Sequence, residues 1–172
     1  MAKGFRFELS RCIGCKACEM ACKVRFDLPL GTRRRRVYTD ESGDYPDTVA
    51  RFVSMACNQC SDPACVATCP KDALVRDETL GVIKHDAAKC VGCRRCEWAC
   101  PYGAIAFNGE TKKVDKCEAC YDQAAGPACV TNCTGAALTW EDVITPNGTI
   151  TGVALPDTDL TNPNIEFVEP TG

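Results

Sequence analysis

Sixteen cysteines fall into four groups of four, and this spacing restricts the chain to folds that bring short thiol-rich loops together. The groups are Cys12, Cys15, Cys18 and Cys22; Cys57, Cys60, Cys65 and Cys69; Cys90, Cys93, Cys96 and Cys100; and Cys117, Cys120, Cys129 and Cys133. The third, followed by Pro101, reads C-x2-C-x2-C-x3-C-P without departure, which is the bacterial ligand pattern for iron-sulfur clusters. The second also ends on a proline, Pro70, and the fourth stretches its middle spacing. No thiol is left over. Ordinary packing has little to work with, since 33 of 172 residues are Leu, Ile, Val or Phe, a share at which chains of high net charge stay disordered. The net charge is only -3, so something other than side-chain packing has to supply the interior.

Disulfides and zinc compete for so many thiols. Disulfides belong to oxidising compartments, and the start of the chain, Met-Ala-Lys-Gly-Phe-Arg-Phe-Glu, shows no apolar secretion signal. Cys12, Cys15, Cys18 and Cys22 also crowd one short segment, where few pairs reach disulfide geometry. Structural zinc sites use Cys pairs or Cys/His mixtures, and His85 is the single histidine. Iron-sulfur clusters are the reading that uses every thiol.

A tight loop with a Cys at every third position wraps one cluster with three thiolates. The x3 step then carries the fourth Cys about one helical turn further, toward a neighbouring cluster. Pro70 and Pro101 turn the chain out at that point. The segments Cys69-Pro-Lys-Asp-Ala-Leu, Cys100-Pro-Tyr-Gly-Ala-Ile and Cys133-Thr-Gly-Ala-Ala-Leu repeat one another, as a duplicated ferredoxin would. Reciprocal exchange between the second and third groups assigns Cys57, Cys60, Cys65 and Cys100 to one cluster and Cys90, Cys93, Cys96 and Cys69 to another. The same rule for the first and fourth groups gives Cys12, Cys15, Cys18 and Cys133, and Cys117, Cys120, Cys129 and Cys22. Lys23 and Thr134 replace the following proline in this outer pair. The expected fold is α+β with little regular secondary structure, made of two interleaved bacterial-ferredoxin-like units that each bind two 4Fe-4S clusters. Residues 1–56 and 101–140 form the outer unit, with an insert at 23–56. Residues 57–100 form the inner unit, with a hairpin from Ala73 to His85 turning near Gly81.

Four thiolates per cubane leave no iron corner open to a substrate. No C-x3-C-x2-C radical site, glycine-rich nucleotide loop or paired-carboxylate constellation is present. No catalytic residue is assigned, and electron transfer is the remaining function. Four oxidised clusters would bring the formal charge to about -11. Lys16, Lys23, Lys89, Arg94, Arg95, Lys112, Lys113 and Lys116 lie beside the motifs, either tuning potentials or serving as ordinary surface charge.

The motifs Cys12-Ile-Gly-Cys15-Lys-Ala-Cys18, Cys57-Asn-Gln-Cys60-Ser-Asp-Pro-Ala-Cys65, Cys90-Val-Gly-Cys93-Arg-Arg-Cys96-Glu-Trp-Ala-Cys100-Pro-Tyr-Gly and Lys116-Cys117-Glu-Ala-Cys120-Tyr-Asp, in this order, resemble the iron-sulfur electron-transfer subunit of the dimethyl sulfoxide reductase family. The resemblance covers about residues 5 to 140. It implies four 4Fe-4S clusters and a large catalytic partner carrying a molybdenum or tungsten bis-pyranopterin. It also implies a membrane quinol-oxidising anchor or a soluble donor. Nitrate reductase relatives replace one third-motif ligand by Trp; Cys93 stands there in this chain, so four cubanes are expected. The chain would relay single electrons between partner and carrier. A free-standing polyferredoxin is the alternative.

Residues 141–172 hold no Cys and are expected to extend as a tail onto the partner. Arg33 to Arg36 lack the apolar stretch of a twin-arginine signal and the aromatic interleaving of a nucleic-acid surface; a solvated strand edge or partner contact is expected. Trp98 is expected to pack beside a cluster, and His85 to be an exposed polar residue. No 18-residue apolar run exists, so no membrane span is expected. The chain would stay in the cytoplasm or travel folded on a partner's twin-arginine signal.

Overall fold

The computed structural model describes residues 3–142 and 145–170. Lys3–Glu8 forms β1, with Phe5 and Phe7 buried on one face and Arg6 and Glu8 turned to the other, the alternation of a half-buried strand. It is the centre of a three-stranded sheet. Leu138–Asp142 (β8) runs antiparallel to it, setting Phe5 opposite Trp140 and Phe7 opposite Leu138. Ile165–Val168 (β9) runs parallel on the other side, with Ile165 opposite Phe5 and Phe167 opposite Phe7. The segment expected to leave the body as a tail therefore returns to it. Its alternating Ile165 and Phe167 complete the core that β1 and β8 leave open on one edge.

Phe5 meets Trp140 with ring centroids 4.7 Å apart. Truncation by Phe5→Ala is expected to cost about 3–5 kcal/mol. Thermal unfolding of the loaded protein checks this, at roughly 2–4 °C of midpoint per kcal/mol for a chain of this size.

Three hairpins carry the remaining strands. Arg36–Ser42 (β2) pairs with Val49–Met55 (β3), Leu74–Asp77 (β4) with Val82–His85 (β5), and Ile105–Asn108 (β6) with Lys113–Lys116 (β7), all antiparallel. The β4–β5 hairpin lies where the sequence indicated, with Gly81 at φ +69°. Asp77 and Asn108 occupy matching positions. The Asp77 carboxylate accepts the Thr79 and Leu80 amides, and the Asn108 side-chain oxygen accepts those of Glu110 and Thr111, so each closes its own turn.

Four short helices start inside the cysteine groups: Ala17–Arg25 (α1), Ala64–Ala67 (α2), Arg95–Ala99 (α3) and Ala128–Thr131 (α4). The last three stop before the fourth Cys of their group, whereas α1 runs through Cys22. No proline follows Cys22; instead the Lys23 ammonium donates to the Leu28 and Pro29 carbonyls at 2.9 and 2.7 Å and closes the turn beyond the helix. Helix α1 packs on α4, and α2 on α3. The architecture is a small mixed α+β one with few helices.

Cysteines are built into both cores. The larger contains Cys18, Cys57, Cys117 and Cys129 among the β1, β8 and β9 residues. The smaller joins Cys65 and Cys96 to Leu74, Ile83, Ile105 and Val114. Hairpin β6–β7, counted by sequence with the outer unit, thus packs against β4–β5; it follows its own cysteine group as β4–β5 follows the second, and the two hairpins share one apolar layer. A boundary at residue 100 does not describe the packing.

Candidate iron-sulfur sites

One backbone geometry recurs in all four groups. The residue before the second Cys has positive φ each time: Gly14 at +67°, Gln59 at +49°, Gly92 at +71° and Ala119 at +54°. This left-handed step curls the loop so that its thiols face one point. At Gly92 the close approach also excludes a side chain, because a Cβ would lie 2.1 Å from the Lys112 carbonyl oxygen. Gln59 carries the roughly 1–2 kcal/mol cost of that conformation and is fixed by its fully buried amide. Its Nε2 donates to the Cys117 carbonyl at 3.0 Å, and its Oε1 accepts the Ile83 amide at 2.8 Å. Gln59→Ala orphans the buried Ile83 amide and Cys117 carbonyl and is expected to cost about 1–3 kcal/mol, measurable as a lower denaturant midpoint with iron content unchanged.

A second left-handed step follows the last Cys of three groups, at Asp72, Gly103 and Ala136, each three residues beyond Cys69, Cys100 and Cys133. It turns the next amide back on the sulfur. The Ala73 amide donates to Cys69 Sγ at 3.3 Å, and the Ala137 amide to Cys133 Sγ at 3.2 Å. Within the fourth group, the Ala119 amide donates to Cys117 Sγ at 3.3 Å. Hydroxyls add to this: Thr134 Oγ1 is 3.2 Å from Cys15 Sγ, and Ser54 Oγ is 3.4 Å from Cys18 Sγ. These donors suit charged sulfur.

The thiols approach one another across groups. Cys12, Cys15, Cys18 and Cys133 line one cavity, and Cys69, Cys90, Cys93 and Cys96 line another. Cys22 of the first group lies in the field of Cys117 and Cys129, and Cys129 in that of Cys117 and Cys120. Cys65 faces Cys57, Cys100 and Cys60. All sixteen cysteines are unpaired.

Burial pushes the Cys22 and Cys65 thiols up to about 12, with neighbouring thiols adding to the shift. It likewise raises Cys57, Cys96 and Cys129 to about 11. Cys15 moves the other way because the Thr134 hydroxyl bonds to it. At Cys69 burial raises the thiol, but the amides of Lys71, Ala73 and Leu74 outweigh it and the net shift is downward. Buried thiols this hard to ionise need compensating cations to act as thiolates. A single ion does not fit. Tetrahedral zinc at a Zn–S distance of about 2.3 Å requires sulfurs about 3.8 Å apart, and no three His, Cys, Asp or Glu side chains among the described residues are close enough to hold one metal ion. Four thiols around one cavity fit a polynuclear cluster with iron at several corners.

Three sequence expectations are corrected here. Trp98 is 76% exposed, because it lies on the outer side of α3 while Cys96 points in. His85 is half-buried, and burial lowers its pKa, with Nε2 left without a partner; strand β5 carries it against Glu118, which accepts its backbone amide. The arginine run is no solvated edge throughout. Arg35 is buried over the Phe5 ring, and Arg34 pairs with Asp115 while stacking 3.9 Å over Phe26. Of the eight basic residues beside the motifs, Lys116 alone is buried. Thr161 escaped notice altogether, since nothing marks a threonine in a Cys-free segment. It bonds to the Tyr102 hydroxyl at 3.0 Å and lies against Cys60. No helix among the described residues is long and apolar enough to cross a membrane.

Residues 48–143 match the 4Fe-4S dicluster domain family and residues 5–26 the 4Fe-4S binding domain family. The sequence is 40% identical to the probable anaerobic dimethyl sulfoxide reductase chain YnfG of Escherichia coli K12, over 94% of this chain and 86% of that one. It is 38% identical to a subunit of the anaerobic dimethyl sulfoxide reductase of the same strain, at the same coverage. Identity to the thiosulfate reductase electron transfer subunit PhsB of Salmonella typhi is 42%, over 74% of this chain and 69% of the relative. With ferredoxin-type loops in the fold, sulfur-directed donors around their thiols and these relatives along nearly its whole length, the protein belongs to the iron-sulfur electron-transfer subunits of the dimethyl sulfoxide reductase family.

Proposed function

We propose that the sixteen cysteines hold four 4Fe-4S clusters in two interleaved ferredoxin-like units. The first site uses Cys12, Cys15, Cys18 and Cys133; the second Cys22, Cys117, Cys120 and Cys129; the third Cys57, Cys60, Cys65 and Cys100; the fourth Cys69, Cys90, Cys93 and Cys96. Each site, when loaded, supplies a one-electron couple whose potential follows cluster charge, hydrogen bonds to sulfur and exposure.

The observation that carries a relay is the order of the thiols. Cys18 of the first set acts on Cys129 of the second, and Cys117 of the second acts on Cys57 of the third. Helices α2 and α3 join the third and fourth sets. The two exposed cysteines, Cys15 and Cys93, belong to the first and fourth sets. They are the terminals of the row. Ile13 in the first loop with Met20 and Val24 on α1, and Val91 in the third loop with Trp98 on α3, are exposed, so the segment that carries each terminal offers apolar side chains to a partner.

The reading is an electron-transfer subunit that passes single electrons between a molybdenum or tungsten bis-pyranopterin catalytic subunit and a quinol-linked or soluble carrier. The tail adds exposed Leu160 to the surface near the third set, and travel across the membrane, where it occurs, would depend on the partner. Anaerobic affinity purification from the native cell tests this. A stoichiometric large subunit with bound pterin is expected; a monomer without one would support the free-standing polyferredoxin instead.

A further inference from the structure

Two cations are buried where thiols of different sets approach each other, and neither has a carboxylate partner among the described residues. Arg35 is 2% exposed. Its Nη1 donates to the Ser54 carbonyl and hydroxyl at 3.3 and 3.1 Å, its guanidinium lies 4.5 Å over the Phe5 ring, and its Nε and Nη2 have no protein partner. The thiols around it are Cys129, Cys117, Cys18 and Cys22, drawn from the second and first sets. Lys116 is 1% exposed. Its Nζ donates to the Ile83 and Cys117 carbonyls at 2.5 and 2.6 Å, and its charge acts on Cys57 and Cys65 of the third set.

The contrast with neighbouring arginines is informative. Arg25 and Arg34 also lie beside the second set, Arg25 with a side-chain hydrogen bond to Cys120, but each carries a carboxylate partner, Asp122 and Asp115 respectively. A buried cation with no counter-charge costs several kcal/mol. The anionic groups in reach of Arg35 and Lys116 are ligand thiolates, so the two charges are compensated when the sites are loaded.

We propose that Arg35 and Lys116 are positioning residues that raise the reduction potentials of the first three sites, Arg35 for the first and second and Lys116 for the third, while the fourth is left without such a cation. The proposal rests on the four-site reading. A fixed positive charge stabilises a site that accepts one electron from its neighbour, which loses one; Arg35 keeps its proton throughout. In a protein interior this interaction is weakly screened. The cations that line the fourth set's cavity, Lys71 and Arg94, are both exposed, and Arg94 is paired with Glu97.

The test is an EPR-monitored redox titration of the iron-loaded full chain, with each signal assigned through a Cys→Ser change in its set. Arg35→Gln is expected to lower the reduced-to-oxidised ratio of the first and second sites on the order of tenfold at fixed potential, about 59 mV for a one-electron couple. Lys116→Met should do the same at the third site, and Arg35→Lys should restore most of the Arg35 effect. The fourth signal should hold in every variant. Lys116→Met reads the effect independently should Arg35→Gln fail to load. Fully loaded variants that titrate as the parent does would overturn the proposal alone. Parent protein with less than about twelve iron atoms would overturn the four-site reading, and the proposal with it.

Discussion

Cys100→Ser is expected to alter or remove the cluster signal that depends on Cys57, Cys60 and Cys65, and to spare the one that depends on Cys90, Cys93 and Cys96, its own neighbours in sequence. Chain direction supports the proposed exchange. Helix α3 ends at Ala99, Cys100 is extended at φ -79° and ψ 111°, and the chain departs at Pro101. Cys100 therefore lies away from the loop that precedes it, in the field of Cys60 and Cys65. Low-temperature EPR of the reduced variant reads the outcome directly. Selective loss of the site at Cys90, Cys93 and Cys96 would contradict the exchange.

Removing the iron should have a larger effect still: the apo chain is expected to lose its tertiary structure. Structural metal sites contribute on the order of 10–16 kcal/mol in small domains, as much as the whole stability of an ordinary one. Both apolar cores include ligand thiols, Cys18, Cys57, Cys117 and Cys129 in the larger, Cys65 and Cys96 in the smaller. Three of the four helices have five residues or fewer, too short to persist unaided. Hydrogen exchange after anaerobic chelation should show protection lost across β4–β7 and weakened in β1. An apo chain that keeps a cooperative thermal transition would contradict this.

What the sequence made legible is what spacing governs. The ligand motifs, the Ala73–His85 hairpin and the short helices follow from Cys, Pro and Gly positions over a few residues. Long-range pairing was less visible. Ile165 and Phe167 alternate over only four strand residues, and their partners lie at the other end of the chain. Arg35 shows the same limit. One side chain in a run of four arginines turns inward because β3 brings Ser54 and β1 brings the Phe5 ring to it. Gln59 and Ala119 are instructive too, since the glycines at Gly14 and Gly92 advertise a left-handed step that these two residues adopt without any compositional sign.

The central claim is that the chain holds four cubane clusters through all sixteen thiols. Iron and acid-labile sulfide analysis of the anaerobically purified protein tests it most directly. About sixteen iron atoms and as many sulfides per chain are expected, four of each per cluster. Stoichiometric zinc, or less than about twelve iron atoms in fully folded protein, would contradict it.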